Sequence, residues 1–210
     1  HPALYHMLDV GAVAEQLLKP LQLPEALEQF YTLSAALHDL GKISDSFRKM
    51  IRTGAAQSAG RHWEVTEVWL REFDDLLEPL AGDRLDRREL YAAIAGHHAK
   101  PPIQEYQTIP AHTWWLPGLI TVADWIGSNT QFFPAVAPGP EARAYLKLAR
   151  ERAAHAVEMI GLALPVPSQK AIIPPGWALR PMQAATQSIA LPDGPVLVLI
   201  EDETGSGKTE

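Results

Sequence analysis

A chain of 210 residues that is 47% hydrophobic and 20% charged has enough apolar material for one full domain and part of another. It has no cysteine, which excludes disulfides, thiolate nucleophiles and zinc fingers, so any metal must be held by nitrogen and oxygen. Its formal charge of -7 means that a nucleic acid would be gripped by a local basic patch rather than by overall charge, and no signal-peptide pattern or apolar run of membrane-spanning length stands out; a soluble, cytoplasmic protein is expected.

In chain order, "YHMLDVGAVAEQLL" (5–18) spaces its apolar residues as an amphipathic helix does, and Pro20 and Pro24 end it. "LEQFYTLSAALHDLGKISDSFRKMI" predicts a second helix to about Leu40, a break at Gly41 and a third helix that Ser44 caps. "RHWEVTEVWLREFDDLLEPL" and "DRRELYAAIAGHH" read as further helices. "AKPPIQEYQTIPAHTWW" reads as a loop, and "PGLITVADWIGSNTQFF" as an apolar helix that carries one aspartate. "EARAYLKLARERAAHAVEMIGL" alternates charge around an apolar stripe, as a solvated helix does.

Residues 1–163 are therefore expected to form an all-helical domain. A proline-rich linker follows over 164–180, and a short helix starts at Pro181. "PVLVLI" is the first clear strand and runs straight into "EDETGSGKTE". Stopping inside that pattern, and starting without methionine, the sequence reads as cut from something longer.

Burying an imidazole, carboxylate or ammonium costs several kcal/mol, roughly 2 to 7 for an unpartnered neutral polar group alone. Polar residues nevertheless stand where the pattern wants core: His6, the pair His38 and Asp39, Lys42, His62, the pair His97 and His98, and Asp124. A single such histidine is more often a satisfied core residue than a ligand; so many together point to metal. Neutral imidazole and carboxylate suit Mn, Fe, Co, Ni or Zn, and facing helices can aim such ligands inward. Lys42 follows one turn after His38, where its charge can meet a phosphate, although a surface pairing with Asp45 fits the sequence equally well.

His6, "HD" at 38 and 39, and the distant Asp124 resemble the H…HD…D signature of the HD phosphohydrolase superfamily, whose members are helical and metal-dependent. "RH" at His62 and "GHH" ending at His98 resemble its two-metal subgroup. Together, "YHMLDVGAVAE", "LHDLGKISDSFR", "AGHHAKPP" and "VADWIGSNTQFFP" are similar to the nuclease domain of the CRISPR-associated nuclease-helicase family of type I systems.

The resemblance implies a helical HD bundle over 1–163 that hydrolyses single-stranded DNA with two divalent metals, Mn, Ni, Co, Fe or Mg. His6, His38, Asp39 and Asp124 would surround one ion. Asp39 with His62, His97 and His98 would surround the second, Asp39 bridging, and Lys42 would neutralise the scissile phosphate or orient water. It also implies recruitment by the RNA-guided Cascade complex; a monomer is the expectation.

"ETGSGKTE" after "PVLVLI" is similar to the phosphate loop of superfamily 2 helicases, which implies the first strand of a RecA-like α/β domain over 181–210. Thr204, Gly205, Ser206 and Gly207 would cradle the phosphates of ATP, Lys208 would reach the outer ones, and Thr209 would hold Mg. Asp202 departs from the pattern, which has Gly or Ala there. "LRPMQ" resembles the adenine-reading Q motif, giving Gln183 a base contact, with a plain helix start as the alternative. Trp114 and Trp115 offer either base stacking or core packing, and Arg48, Lys49 and Arg52 either a phosphate-tracking patch or a solvated face. Two rival functions remain: an HD hydrolase of nucleotides or cyclic dinucleotides, and a metal-stabilised binding module without catalysis.

Overall fold

A computed structural model gives the structure and describes residues 1–56, 60–81, 87–98, 111–163, 176–191, 193 and 196–201. The side chains of 79–81, 88, 89, 98 and 111–114 lie outside the description. The chain divides into two compact units, His1–Pro165 and Val166–Glu210.

The first unit is helical throughout its described residues, turns and short connections aside. Its helices are α1 (Ala3–Leu18), α2 (Glu25–Leu37), α3 (Asp45–Thr53), α4 (His62–Glu72), α5 (Asp74–Ala81), α6 (Arg87–Ala95), α7 (Ala111–Gly127) and α8 (Ala142–Met159). Tight 3-10 turns at Leu40–Ile43 and Gly96–His98 follow α2 and α6. The second unit has α9 (Pro181–Gln187).

Helix α1 lies at the centre and packs on α2, α7 and α8. Its "DVGAVA" run makes this possible, because small side chains let three neighbours approach one helix. A Cβ on Gly11 would come within 3.0 Å of the Ala36 Cβ, and one on Gly127 of α7 would meet Val10 Cγ2 at 2.9 Å and its backbone N at 3.2 Å. The α1–α7 approach therefore requires a residue without a side chain at 127. Val10, Val13, Leu18, Phe30, Leu70, Ile94, Ile120 and Tyr145 are among the large side chains of the core, all buried. Burying a Val or Leu of this kind stabilises by about 1.5 to 3 kcal/mol.

Three boundaries differ from the sequence expectation. The stretch read as one helix from His62 breaks at Phe73, where Asp74 turns to bind Arg87 at 2.7 Å through both carboxylate oxygens and accepts from the Tyr91 hydroxyl at 2.5 Å. The loop expected up to Trp115 gives way to helix from Ala111, which passes through Pro117. Leu116, Ile120, Ala123 and Ile126 are all buried, and that packing outweighs the cost of a proline inside the helix. The strand expected at "PVLVLI" does not form: Val196–Ile200 is irregular, and Leu197 and Leu199 are exposed. A strand needs a neighbour for its backbone N–H and C=O groups, and no sheet exists among the described residues.

Candidate metal centre

Five parts of the fold bring the polar residues of the first unit together: α1, the end of α2 with its 3-10 turn, α4, the Gly96–His98 turn and α7. The chain leaves α2 at His38, which keeps helical angles, and turns at Asp39, with φ -107° and ψ 20°. The 3-10 turn then docks on the first turn of α4. Gly41 N–H donates to Thr66 Oγ1 at 2.8 Å, and the Thr66 hydroxyl donates to the His62 carbonyl at 3.0 Å. A Cβ on Gly41 would lie 1.9 Å from that carbonyl oxygen, so glycine alone fits. This contact holds the Asp39 carboxylate opposite His62.

The carboxylate is buried and faces both ways. Asp39 Oδ2 lies 3.2 Å from His6 Nε2 and 3.2 Å from His38 Nε2, and Oδ1 lies 3.3 Å from His62 Nε2. Asp124 closes the first side: its Oδ1 is 3.2 Å from His6 Nε2 and 3.6 Å from His38 Nε2, and it accepts from the Ser128 hydroxyl at 3.0 Å. Lys42 sets its ammonium against Asp39 Oδ2, while Asp45 pairs with Arg48 at 2.6 Å, so the surface pairing of Lys42 with Asp45 is not the one adopted.

Two histidines are aimed by the same device. The Ala35 carbonyl accepts from His38 Nδ1 at 2.8 Å, and the Ile94 carbonyl accepts from His97 Nδ1 at 2.8 Å. With Nδ1 carrying hydrogen, the neutral ring offers Nε2 as a lone pair, which is the tautomer a metal needs. Thr121 of α7 ties the His97 turn down, its hydroxyl lying 3.0 Å from the His97 carbonyl and 2.8 Å from that of Pro117.

The result is two ligand groups with one shared residue: His6, His38, Asp39 and Asp124, and Asp39, His62 and His97, each with its ligand atoms within 4.8 Å of one another. Whether a cation fits is answered by the atoms themselves. His6 Nε2, His38 Nε2 and both oxygens of Asp39 are buried and make no hydrogen bond, though all sit close to one another. Buried polar atoms without a hydrogen bond are rare and costly; here, with the Lys42 ammonium the only cation of fixed charge among the described residues against Asp39 Oδ2, they converge on common points, as ligands do. The donor set of imidazole and carboxylate suits a divalent transition metal.

Charge shows the same convergence. Burial pulls the His38 imidazole down, but Asp124 and Asp39 outweigh it and raise it from 6.5 to about 9. His6 is raised for the same reasons. Burial would raise Asp39 and Asp124; the facing histidines instead hold both well below the carboxylate range.

Of the other residues singled out, the His98 side chain lies outside the description, as do the Trp114 side chain and the loop 204–209. Trp115 is 40% exposed and meets Tyr31 edge-on at 5.0 Å, which is packing. Gln183 accepts from the Arg180 N–H at 3.0 Å and so caps α9. Arg48, Lys49 and Arg52 lie on the solvent side of α3. Sequence reasoning missed Thr66 and Ser128, which bond the turn and the ligand; a hydroxyl four residues after His62 and after Asp124 was the available signal.

Comparison with known proteins decides the family. The family model described as "Cas3, HD domain" matches residues 1–112 and 104–133. The chain belongs to the Cas3 HD-domain family. This bears out the resemblance read from the four motifs. The CRISPR-associated endonuclease/helicase Cas3 of Thermus thermophilus is 28% identical over 283 aligned positions, which take in 100% of this chain. The chain spans 30% of that relative's length. The crystal structure of the Thermus thermophilus Cas3 HD domain in the presence of Ni2+ matches with a TM-score of 0.54 and 26% identity, covering 77% of this chain and 85% of that one. The helical HD fold expected for the first unit is thus the one found. No helix among the described residues is long and apolar enough to cross a membrane.

Proposed function

We propose that this chain is a metal-dependent nuclease that cleaves single-stranded DNA in type I CRISPR interference. The observation that carries the reading is Asp39, a buried carboxylate whose two oxygens face two separate sets of histidines and whose one charge partner of fixed sign among the described residues is the Lys42 ammonium at Oδ2. His6, His38, Asp39 and Asp124 would hold one divalent ion, and Asp39, His62 and His97, joined by His98, the other.

Two such ions supply Lewis-acid polarisation of the phosphodiester and charge for its developing negative oxygens. The chain's own residues supply the frame. Asp39 fixes both ligand groups to one point, and the Ala35 and Ile94 carbonyls fix the rings of His38 and His97. Ser128 holds Asp124. Lys42, with its side chain 29% exposed beside Asp39, is placed to offer Nζ–H to a non-bridging phosphate oxygen.

The Thermus thermophilus structure was solved with Ni2+, and that supports Ni among Mn, Co, Fe and Mg as the ions this site takes. The relative's name, an endonuclease/helicase, supports a longer protein in which ATP and Mg bind the 204–209 loop and drive a helicase over the single strand. On this reading residues 1–163 are the nuclease domain, 164–180 the linker and 181–210 the helicase start; Gln183 contacts the adenine, and Cascade recruits the whole. Guide pairing then supplies sequence choice, and the nuclease needs little base preference.

The test is cleavage of circular single-stranded DNA by this chain, chelated and then reloaded with Mn, Ni or Mg. Cleavage that returns with metal is the expected result. Release of phosphate from small nucleotides alone would favour the nucleotide hydrolase, and inertness with metal bound would favour the binding module.

A further inference from the structure

Helix α3 is out of place in a packed bundle. It buries none of its nine residues, and the 3-10 turn beside it is its main neighbour. Local chemistry holds it instead: Ser44 Oγ accepts from the Phe47 N–H at 3.3 Å, and Gly54 ends it with φ 66°. Yet it carries Phe47 and, one turn on, Ile51, which is 68% exposed. Phe47 is half-buried, and a surface helix gains nothing from leaving Ile51 to water.

Both residues line a cavity of about 450 Å³ whose other walls include His6, Lys42, Ser128 and Phe133. The volume lies within the roughly 300 to 1,000 Å³ common for small-ligand sites. The cavity opens directly off the metal centre: His6 belongs to the first ligand group, Ser128 bonds Asp124, and Lys42 touches Asp39. Phe47 is held edge-on against His62 at 5.4 Å between ring centroids and an angle of 70°. The outer positions of α3 carry Arg48, Lys49 and Arg52 against the single acid Asp45, a basic surface on an acidic chain.

We infer that this cavity is the nucleotide subsite of the nuclease, in which Phe47 and Ile51 form the wall for a base next to the scissile phosphate, and Lys49 and Arg52 follow the strand's phosphates. The inference deepens the nuclease reading and rests on it. An unpaired strand matches every feature: a flat apolar face for the ring, positive charge on α3 for the backbone, and Lys42 for a phosphate. Aromatic walls accept any base because every base has a π face, so the subsite selects unpaired over paired nucleotides without reading sequence. Phe47 and Ile51 are specificity residues and do not touch the reacting atoms.

The test is a cycle between protein and strand, read by fluorescence anisotropy with metal chelated so that nothing is cut. The probes are a labelled thymidine strand and an abasic strand of the same length and charge; the proteins are wild type, Phe47→Ala and Phe47→Trp, each checked for folding by circular dichroism. Wild type is expected to hold the thymidine strand roughly 5- to 150-fold more tightly than the abasic one. Phe47→Ala should erase most of that preference, and Phe47→Trp should restore it. Equal affinity for the two strands in wild type, or a preference that survives Phe47→Ala, overturns the inference and assigns the apolar wall to another partner. The two readings fail distinguishably: normal cleavage of circular DNA without a Phe47-dependent preference sinks only the subsite, and a Phe47-dependent preference without metal-dependent cleavage sinks the nuclease and with it the subsite's catalytic role, leaving a strand-binding cavity.

Discussion

Helix α1 carries two buried acid-base clusters one turn apart, and they are built on opposite principles. At Asp9 both carboxylate oxygens are partnered. The Tyr145 hydroxyl lies 3.0 Å from each carboxylate oxygen, His1 Nε2 is 3.0 Å from Oδ2, and Tyr5 stacks on Tyr145 at 4.0 Å while donating to the Pro140 carbonyl at 2.7 Å. At His6, three residues earlier, buried nitrogens and oxygens crowd together and leave His6 Nε2 and both Asp39 oxygens without a hydrogen bond, the Lys42 ammonium meeting Oδ2 as an ion pair. A satisfied buried cluster ties α1 to α8 and specifies the fold. An unsatisfied one holds its members ready for something the polypeptide does not contain, and that separates a site from a brace.

Variants that touch one cluster and spare the other sharpen this contrast. Asp124→Ala removes a carboxylate from the first ligand group and should lower metal-dependent cleavage by about three orders of magnitude, as loss of a direct charge partner of the reacting centre does. Thermal unfolding of the metal-free variant checks that the fold survives. Tyr145→Phe should do the reverse. It strips Asp9 of its hydroxyl donor and should cost about 1 to 3 kcal/mol in urea unfolding, with metal affinity and turnover per folded molecule unchanged. Equal effects of the two variants on cleavage would break the comparison.

The clusters also respond oppositely to pH and metal. In the metal-free protein His38 is raised to about 9, so its contribution to stability is complete below 6.5 and fades as pH climbs through 9. Asp39 and Asp124 are lowered, so theirs is present above the ordinary value of 3.8 and lost on acidification. A ligand must be neutral imidazole, so loading displaces a proton from His38, and apparent metal affinity should rise about tenfold per pH unit up to that value. Asp9 is raised by burial to about 6, partly offset by Tyr145. The folded state then binds more protons than the unfolded between 3.8 and 6, and stability falls as pH rises through that window, with or without metal. Urea midpoints measured across pH, with Mn and with chelator, separate the two.

The ligands of the first group were legible because each breaks an apolar helical pattern: His6 in "YHML", His38 and Asp39 in "AALHDL", Asp124 in "VADWI". Residue type and helical phase are enough to see them. Asp9 breaks the same pattern without standing out, since a carboxylate near the middle of α1 looks like a solvent-facing residue until α8 brings Tyr145 against it. Gly41 reads in the sequence as a helix breaker, whereas its reason is the 1.9 Å that separates its would-be Cβ from the His62 carbonyl. Such causes lie in contacts between residues far apart along the chain, 25 positions for Gly41 with Thr66 and 136 for Asp9 with Tyr145, and no local pattern holds them. The same applies to Val196–Ile200, whose apolar β-branched run has strand propensity and finds no edge to pair with among the described residues.

The central claim is that Asp39 joins two metal groups, and metal stoichiometry tests it most directly. Titration of the chelated protein with Mn, followed by calorimetry and checked by elemental analysis, should give two ions per chain in wild type and weaken both sites in Asp39→Ala. One ion in wild type, or two ions bound with unchanged affinity in Asp39→Ala, would contradict it.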